Sequence, residues 1–138
     1  MKTVRLIIHE PLINKIVGSE LSLSLDDQAT LVDAIREVDK RLDRKGSFPV
    51  PGYQSLLHMI YNPIANGFYK QVAIVAHTES GQMLNLRDDP EKELPEGTAI
   101  ILIPTGGCIS EWEQAIDYEE FLKAISNSRR ERIRGAQK

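Results

Sequence analysis

The residues with the most chemical potential are gathered at one point of the chain, Thr105-Gly106-Gly107-Cys108, between an apolar run and an amphipathic stretch. A cysteine at the start of a helix sits among backbone N–H groups that stabilise thiolate, so it could serve as a nucleophile. The surroundings do not complete such a site. Cys108 is the single cysteine of the sequence, so it has no dithiol partner. Gln114 follows six residues later and the next arginine is Arg129, so no phosphate-binding cradle forms. No Gly-Lys-Ser/Thr follows the glycines to make a nucleotide loop. His9, His58 and His77 are scattered, and none stands at metal-ligand spacing with Cys108. The residue pattern therefore gives no catalytic set and no metal site, and the chain does not read as an enzyme. Cys108 reads as a small residue at a bend.

These four residues must be positioned by what precedes them. Thr3 to His9 read as a strand, with Val4, Leu6 and Ile8 on one side and Arg5, Ile7 and His9 on the other. Pro11 and Gly18 bracket a turn region, and Glu20 to Leu25 alternate cleanly, so the two strands form a hairpin with a longish connection. The period then changes. Leu31, Ala34, Ile35, Val38 and Leu42 fall at helical spacing. Thr30 and Asp33 make a capping-box pair, and Gly46 follows Arg44 and Lys45, which predicts a helix over 30–45.

Residues 46–70 are punctuated by prolines and glycines and hold five of the eight aromatics. A short helix over 53–61 and a packed excursion covering one end of the sheet are expected there; a partner surface is the competing reading. Strands follow at 71–77 and 82–86. Leu94-Pro95-Glu96-Gly97 then turns into Thr98 to Ile103, apolar on both faces and so expected to be a central, doubly covered strand. Trp112, Ala115, Ile116, Leu122 and Ile125 mark a final amphipathic helix. The expected core includes Leu6, Leu23, Leu31, Ile35, Val38, Ile74 and Leu102.

The order hairpin, helix, connector, strands, last strand makes the first and last strands parallel neighbours, with the helix as the crossover. The fold class expected is α+β: a β-grasp mixed sheet packed on one main helix, with a C-terminal helix added. The division is 1–107 for the β-grasp domain and 108–138 for a helical extension and basic tail. Ile7 and Val75 make the far face of the sheet partly apolar, so Trp112 and Ile116 are expected to dock there or on a second copy of the protein. The tail from Arg129 to Lys138 is expected to be mobile.

With 138 residues the chain is long enough for one ordinary core. Its net charge of −3 gives no reason to expect nucleic-acid binding. The single cysteine fits a reducing, cytoplasmic setting. The first ten residues are too short and too charged for a signal peptide, and no apolar stretch approaches a membrane span.

The hairpin, the helix entered through Ala29-Thr30-Leu31-Val32, and the ending from Leu94-Pro95-Glu96-Gly97 to Thr105-Gly106-Gly107 together resemble the sulfur-carrier branch of the ubiquitin-like superfamily. That branch includes the molybdopterin-synthase small subunit, the thiamine sulfur carrier and archaeal ubiquitin-like modifiers. The resemblance covers roughly residues 1–107 and is weakest over 46–70. It implies that Gly106 and Gly107 are the activation and conjugation site. A partner adenylating enzyme would use ATP on the terminal glycine carboxylate. A sulfurtransferase or a target protein would then take part, and the chain itself would bind no cofactor. Glycine suits such a tail because it threads a narrow channel without a Cβ. In this chain Gly107 is internal and is followed by Cys108, so the resemblance further implies a processing protease acting between Gly107 and Cys108. The alternative is a non-catalytic binding or scaffold module in which Gly106-Gly107 is only a turn and the last helix is permanent.

Overall fold

The computed structural model describes residues 1–104 and 114–126. In chain order the elements are β1 (Lys2–Ile8), α1 (Pro11–Val17), β2 (Glu20–Leu25), α2 (Leu31–Asp43), α3 (Leu56–Ile60), β3 (Tyr61–Asn62), β4 (Gly67–Phe68), β5 (Ala73–His77), β6 (Met83–Leu84) and β7 (Ala99–Ile103). A last helix, α4, covers residues 118–126.

Five strands form one sheet in the order β2-β1-β7-β5-β6, and β3 pairs with β4 in a separate small ladder. β1 and β7 are parallel neighbours in register Leu6↔Ile100 and Ile8↔Leu102. β2 runs antiparallel to β1, and β5 antiparallel to β7. This mixed sheet with a helical crossover between its two parallel central strands is β-grasp topology, in the α+β class, as the order of periodicities predicts.

The register follows from burial. Val4, Leu6, Ile8, Ile100 and Leu102 are fully buried on one face of the sheet. α2 offers Leu31, Ala34, Ile35, Val38 and Leu42 as its buried stripe, the stripe read from its spacing. Its start is fixed where the Asp33 carboxylate accepts the Thr30 backbone N–H at 2.9 Å. The helix is shorter than expected, ending at Asp43 rather than Lys45.

Four local features differ from the sequence reading. The connection from β1 to β2 is a helix, α1, rather than a turn. Pro11 stands at its first position, Glu10 accepts the Ile13 N–H at 3.0 Å, and Gly18 closes it. Fully buried Ile13 anchors it to the core. The strand expected at 82–86 pairs only at Met83–Leu84. β7 is central, but Ile101 and Ile103 are only half-buried, so it is not covered equally on both faces. Ile74 lies beside Leu102 on the packed face yet is half-buried, because β5 lies nearer the sheet edge.

Entry into β7 is set by the Leu94–Gly97 turn. Leu94 is buried and its N–H reaches the Ala29 carbonyl at 3.0 Å, tying the turn to the start of α2. Gly97 donates to the Thr3 carbonyl at 2.8 Å, which brings β7 alongside β1. Gly97 has φ +79°, and a Cβ there would lie 3.0 Å from the Glu79 Oε2.

Two substitutions test this packing. Ile35→Ala should cost about 2–5 kcal/mol in denaturant unfolding, as large-to-small changes at fully buried sites do. Gly97→Ala should cost on the order of 1–3 kcal/mol through the left-handed backbone it would strain. A loss under about 1 kcal/mol for Ile35→Ala would mean that α2 presents another face to the sheet.

Candidate functional site

The residues singled out in the sequence fall into three places. Gly106, Gly107, Cys108 and Trp112 lie outside the described residues, as does the basic tail. They follow β7 directly: Pro104 is buried, and Gly106 comes three positions after Ile103, the last residue of that strand.

Ile7 and Val75 lie on the face of the sheet away from α2, on either side of β7. Each is in direct register with Ile101, so Ile7, Ile101 and Val75 make one row across three strands. Val75 is 40% exposed. Polar residues border the row, including Arg5, paired with Glu20 at 3.3 Å.

Ile116 does not join that row. It is held on the α2 side of the molecule, at the 46–70 connector. The His58 Nε2 lies 2.7 Å from the Ile116 carbonyl, and the Ile116 N–H donates to the Tyr69 hydroxyl at 3.2 Å. Both backbone polar groups of one residue are therefore met by side chains. Residues 114–117 are non-helical, so the helix read through Ala115 and Ile116 begins only at residue 118. Within α4 the buried anchor is Phe121, 4% exposed, whereas Leu122, one of the expected stripe residues, is 46% exposed. Ala115, Ile116 and Ile125 of that stripe are partly buried against the core, and the later helix start shifts its centre to Phe121. Phe121 belongs to the same hydrophobic core as β1, β7 and α2, so the extension packs with the 1–104 body rather than standing apart.

The receiving surface is built by the connector. Asp39 on α2 accepts the N–H groups of Leu56 and Leu57 at 2.7 and 3.1 Å, and Ser55 accepts that of His58 at 3.1 Å. These contacts satisfy the orphan donors at the start of α3. That fixes the helix, which begins at Leu56 rather than Tyr53, and with it His58. His58 is 5% exposed. Its Nδ1 accepts the Gln54 N–H at 3.2 Å, which leaves the proton on Nε2 to be donated to Ile116. The ring packs edge-on against Tyr53, Tyr118 and Phe121, with centroids 5.1–5.9 Å apart. The connector aromatics Tyr61, Phe68 and Tyr69 are buried in the core, which agrees with the packed-excursion reading. The β3–β4 hairpin, turning at Asn66 with φ +52°, has no counterpart in the sequence reading.

A groove of about 610 Å³ lies beside this contact, lined by Tyr53, Gln54, His58, Gln114, Asp117 and Tyr118. Both nitrogens of His58, the imidazole in that lining, are engaged in hydrogen bonds. Among the described residues there is no cluster of three or more histidine, cysteine, aspartate or glutamate side chains able to hold a metal. No helix of the described residues is long and apolar enough to cross a membrane.

Burial pushes the Asp39 carboxyl up to about 6 against the opposing pull of the Leu56 and Leu57 N–H groups; nearby Asp43 raises it further and Arg36 lowers it. The folded chain thus holds a proton on Asp39 between about pH 4 and 6 that the unfolded chain releases. This contribution is present in full below the ordinary aspartate range and is lost as pH rises through about 6. It should amount to about 1–3 kcal/mol. Asp39→Asn should abolish it. The stability difference between the native chain and the Asp39→Asn variant should change across about pH 4–7.5 in denaturant titrations, and a constant difference would contradict the assignment.

No protein-family model and no curated protein matches the chain. Two solved structures are similar to it. Small archaeal modifier protein 1 from H. volcanii shares 10% identity at a TM-score of 0.49, over 75% of this chain and 98% of that one. A Pyrococcus furiosus protein described as molybdopterin converting factor subunit 1 shares 18% identity at a TM-score of 0.44, over 75% and 98% respectively.

Proposed function

We propose that this chain is a ubiquitin-like carrier or modifier of the sulfur-carrier kind, made as a precursor. Removal of residues 108–138 would leave Gly107 with a free carboxylate for an ATP-dependent adenylating enzyme. The observation that carries this reading is the position of the glycine pair. It comes three and four residues after the end of the central strand β7, in a sheet of β-grasp order. A tail leaving the middle strand of a rigid sheet is held at its root, which suits delivery into another protein's channel.

The chemistry follows from the terminus. Hydrolysis of the Gly107–Cys108 amide supplies the carboxylate. That carboxylate attacks the α-phosphate of ATP on the partner, and pyrophosphate leaves. The acyl adenylate then passes its acyl group to a sulfide-level sulfur donor, forming a thiocarboxylate, or to an amine, forming an amide, and in either case AMP leaves. The chain contributes the carbonyl and the fold that presents it; the partners contribute the catalysis.

One observation favours a second reading. Phe121 is buried in the common core, as expected of a permanent extension, and a binding module with Gly106-Gly107 as a plain turn would need it there.

The two readings part in an activation assay. A chain ending at Gly107 should exchange pyrophosphate with ATP in the presence of a cognate adenylating enzyme, and the 138-residue chain should not. Gly107→Ala in the short chain should reduce activation by about tenfold or more, the cost of a methyl group in a close-fitting channel. Equal activity of the short and long chains would contradict the mechanism, since only one of them has the carboxylate.

A further inference from the structure

We propose that residues 114–126 are a peptide ligand carried in cis: the surface formed by His58, Tyr69 and the core around Phe121 is a peptide-binding site that keeps its hold on this segment after the chain is opened between Gly107 and Cys108. The setting of that cleavage rests on the carrier reading above; the binding itself does not.

The contact joins a main-chain grip of the kind used in peptide recognition to the packing of a short helix face on the core. Residues 114–117 have no regular structure and lend no backbone hydrogen bonds to a ladder. The Ile116 main chain is instead gripped at both its N–H and its C=O by side chains of the body. This pairing does not depend on the side chain at position 116; it recognises main-chain groups. One ring then fills a pocket: Phe121 is 4% exposed, and Tyr118 lies stacked beside it at 6.0 Å. The neighbouring Leu122 is 46% exposed, and Tyr118 and Ile125 are only partly buried against the core, so Phe121 is the main buried anchor of α4. A buried aromatic anchor beside a satisfied backbone contact is the usual economy of a bound peptide.

The receiving side is built without the segment. His58 is set by Gln54 and Ser55, and α3 by Asp39, all within the body. Tyr69 is fixed by its own N–H to the Ile60 carbonyl at 3.0 Å. A site ordered in advance binds with less entropic loss. A buried Phe121 and a free Gly107 carboxylate are then compatible: the mature form is a two-chain complex in which the extension stays docked on the α2 side while the glycine tail is released.

The test uses the full chain with a specific protease site inserted between Gly107 and Cys108, cut after folding. Native mass spectrometry and size exclusion should find both fragments in one 1:1 particle, and added labelled peptide of residues 108–138 should exchange into it. Phe121→Ala should speed loss of the fragment by about a hundredfold or more. Tyr69→Phe should speed it by about tenfold, with the body still folded by circular dichroism. Loss of the fragment from a body that stays folded would overturn the proposal. So would unfolding of the body on cutting, because the segment would then be an integral part of the core. Retention unaffected by Phe121→Ala would overturn it as well. A stable cut complex that no adenylating enzyme activates would remove the carrier reading and leave the binding site standing.

Discussion

Everything distinctive in this molecule depends on the parallel pairing of β1 and β7. Parallel neighbours cannot be joined by a tight turn, so the chain must cross the sheet between them, and α2 makes that crossing. Once Leu6 sits beside Ile100 and Ile8 beside Leu102, the face buried under α2 is decided for both strands. A slip of one residue would send those side chains into solvent and bring Ile101 and Ile7 inward. The Leu94–Gly97 turn is the device that prevents the slip, because its N–H groups are tied to both the Ala29 and Thr3 carbonyls. The point at which the chain leaves β7, at Pro104, is inherited from that register.

A second chain of dependence runs across the helical layer. α2 holds α3 through Asp39, α3 fixes His58, and His58 takes the Ile116 carbonyl. Each link satisfies a polar group that burial would otherwise leave unpaired, and the aromatic rings around His58 exclude water from them. The 46–70 connector is therefore more than a lid on one end of the sheet. It turns a β-grasp body into one with a receptor surface on the face opposite the Ile7–Ile101–Val75 row. Those two surfaces lie on different sides of the sheet, so docking of the extension leaves that apolar row unobstructed by residues 114–126.

The main architecture is legible in the sequence because its signals are periodic. The alternation of Leu21, Leu23 and Leu25 and the stripe from Leu31 to Leu42 each point to one face, and both faces are buried. The β1–β7 pairing follows from element order alone. What escapes are elements too short for a period to show. α1 is signalled only by its ends, Glu10-Pro11 and Gly18, which also suit a turn. The β3–β4 hairpin rests on two pairs of residues around Asn66. The candidate site is legible at its glycines and not at its receptor. Nothing in the spacing of His58 and Tyr69 indicates that both converge on Ile116, since that meeting depends on Asp39 holding α3 from another element. The phase of the last helix is hidden for a related reason. The helix begins after residue 117, so a stripe counted from Trp112 keeps Ile125 but takes in exposed Leu122 and passes over Phe121.

The central claim is that Gly107 becomes a terminus while the extension stays useful to the fold. Intact-mass analysis of the protein taken from its native cell, under non-denaturing and then denaturing conditions, tests this most directly. The account predicts one particle near the mass of the whole chain that separates on denaturation into a species ending at Gly107 and one beginning at Cys108. A single uncut chain continuing through Cys108 under both conditions, with no species ending at Gly107, would contradict it.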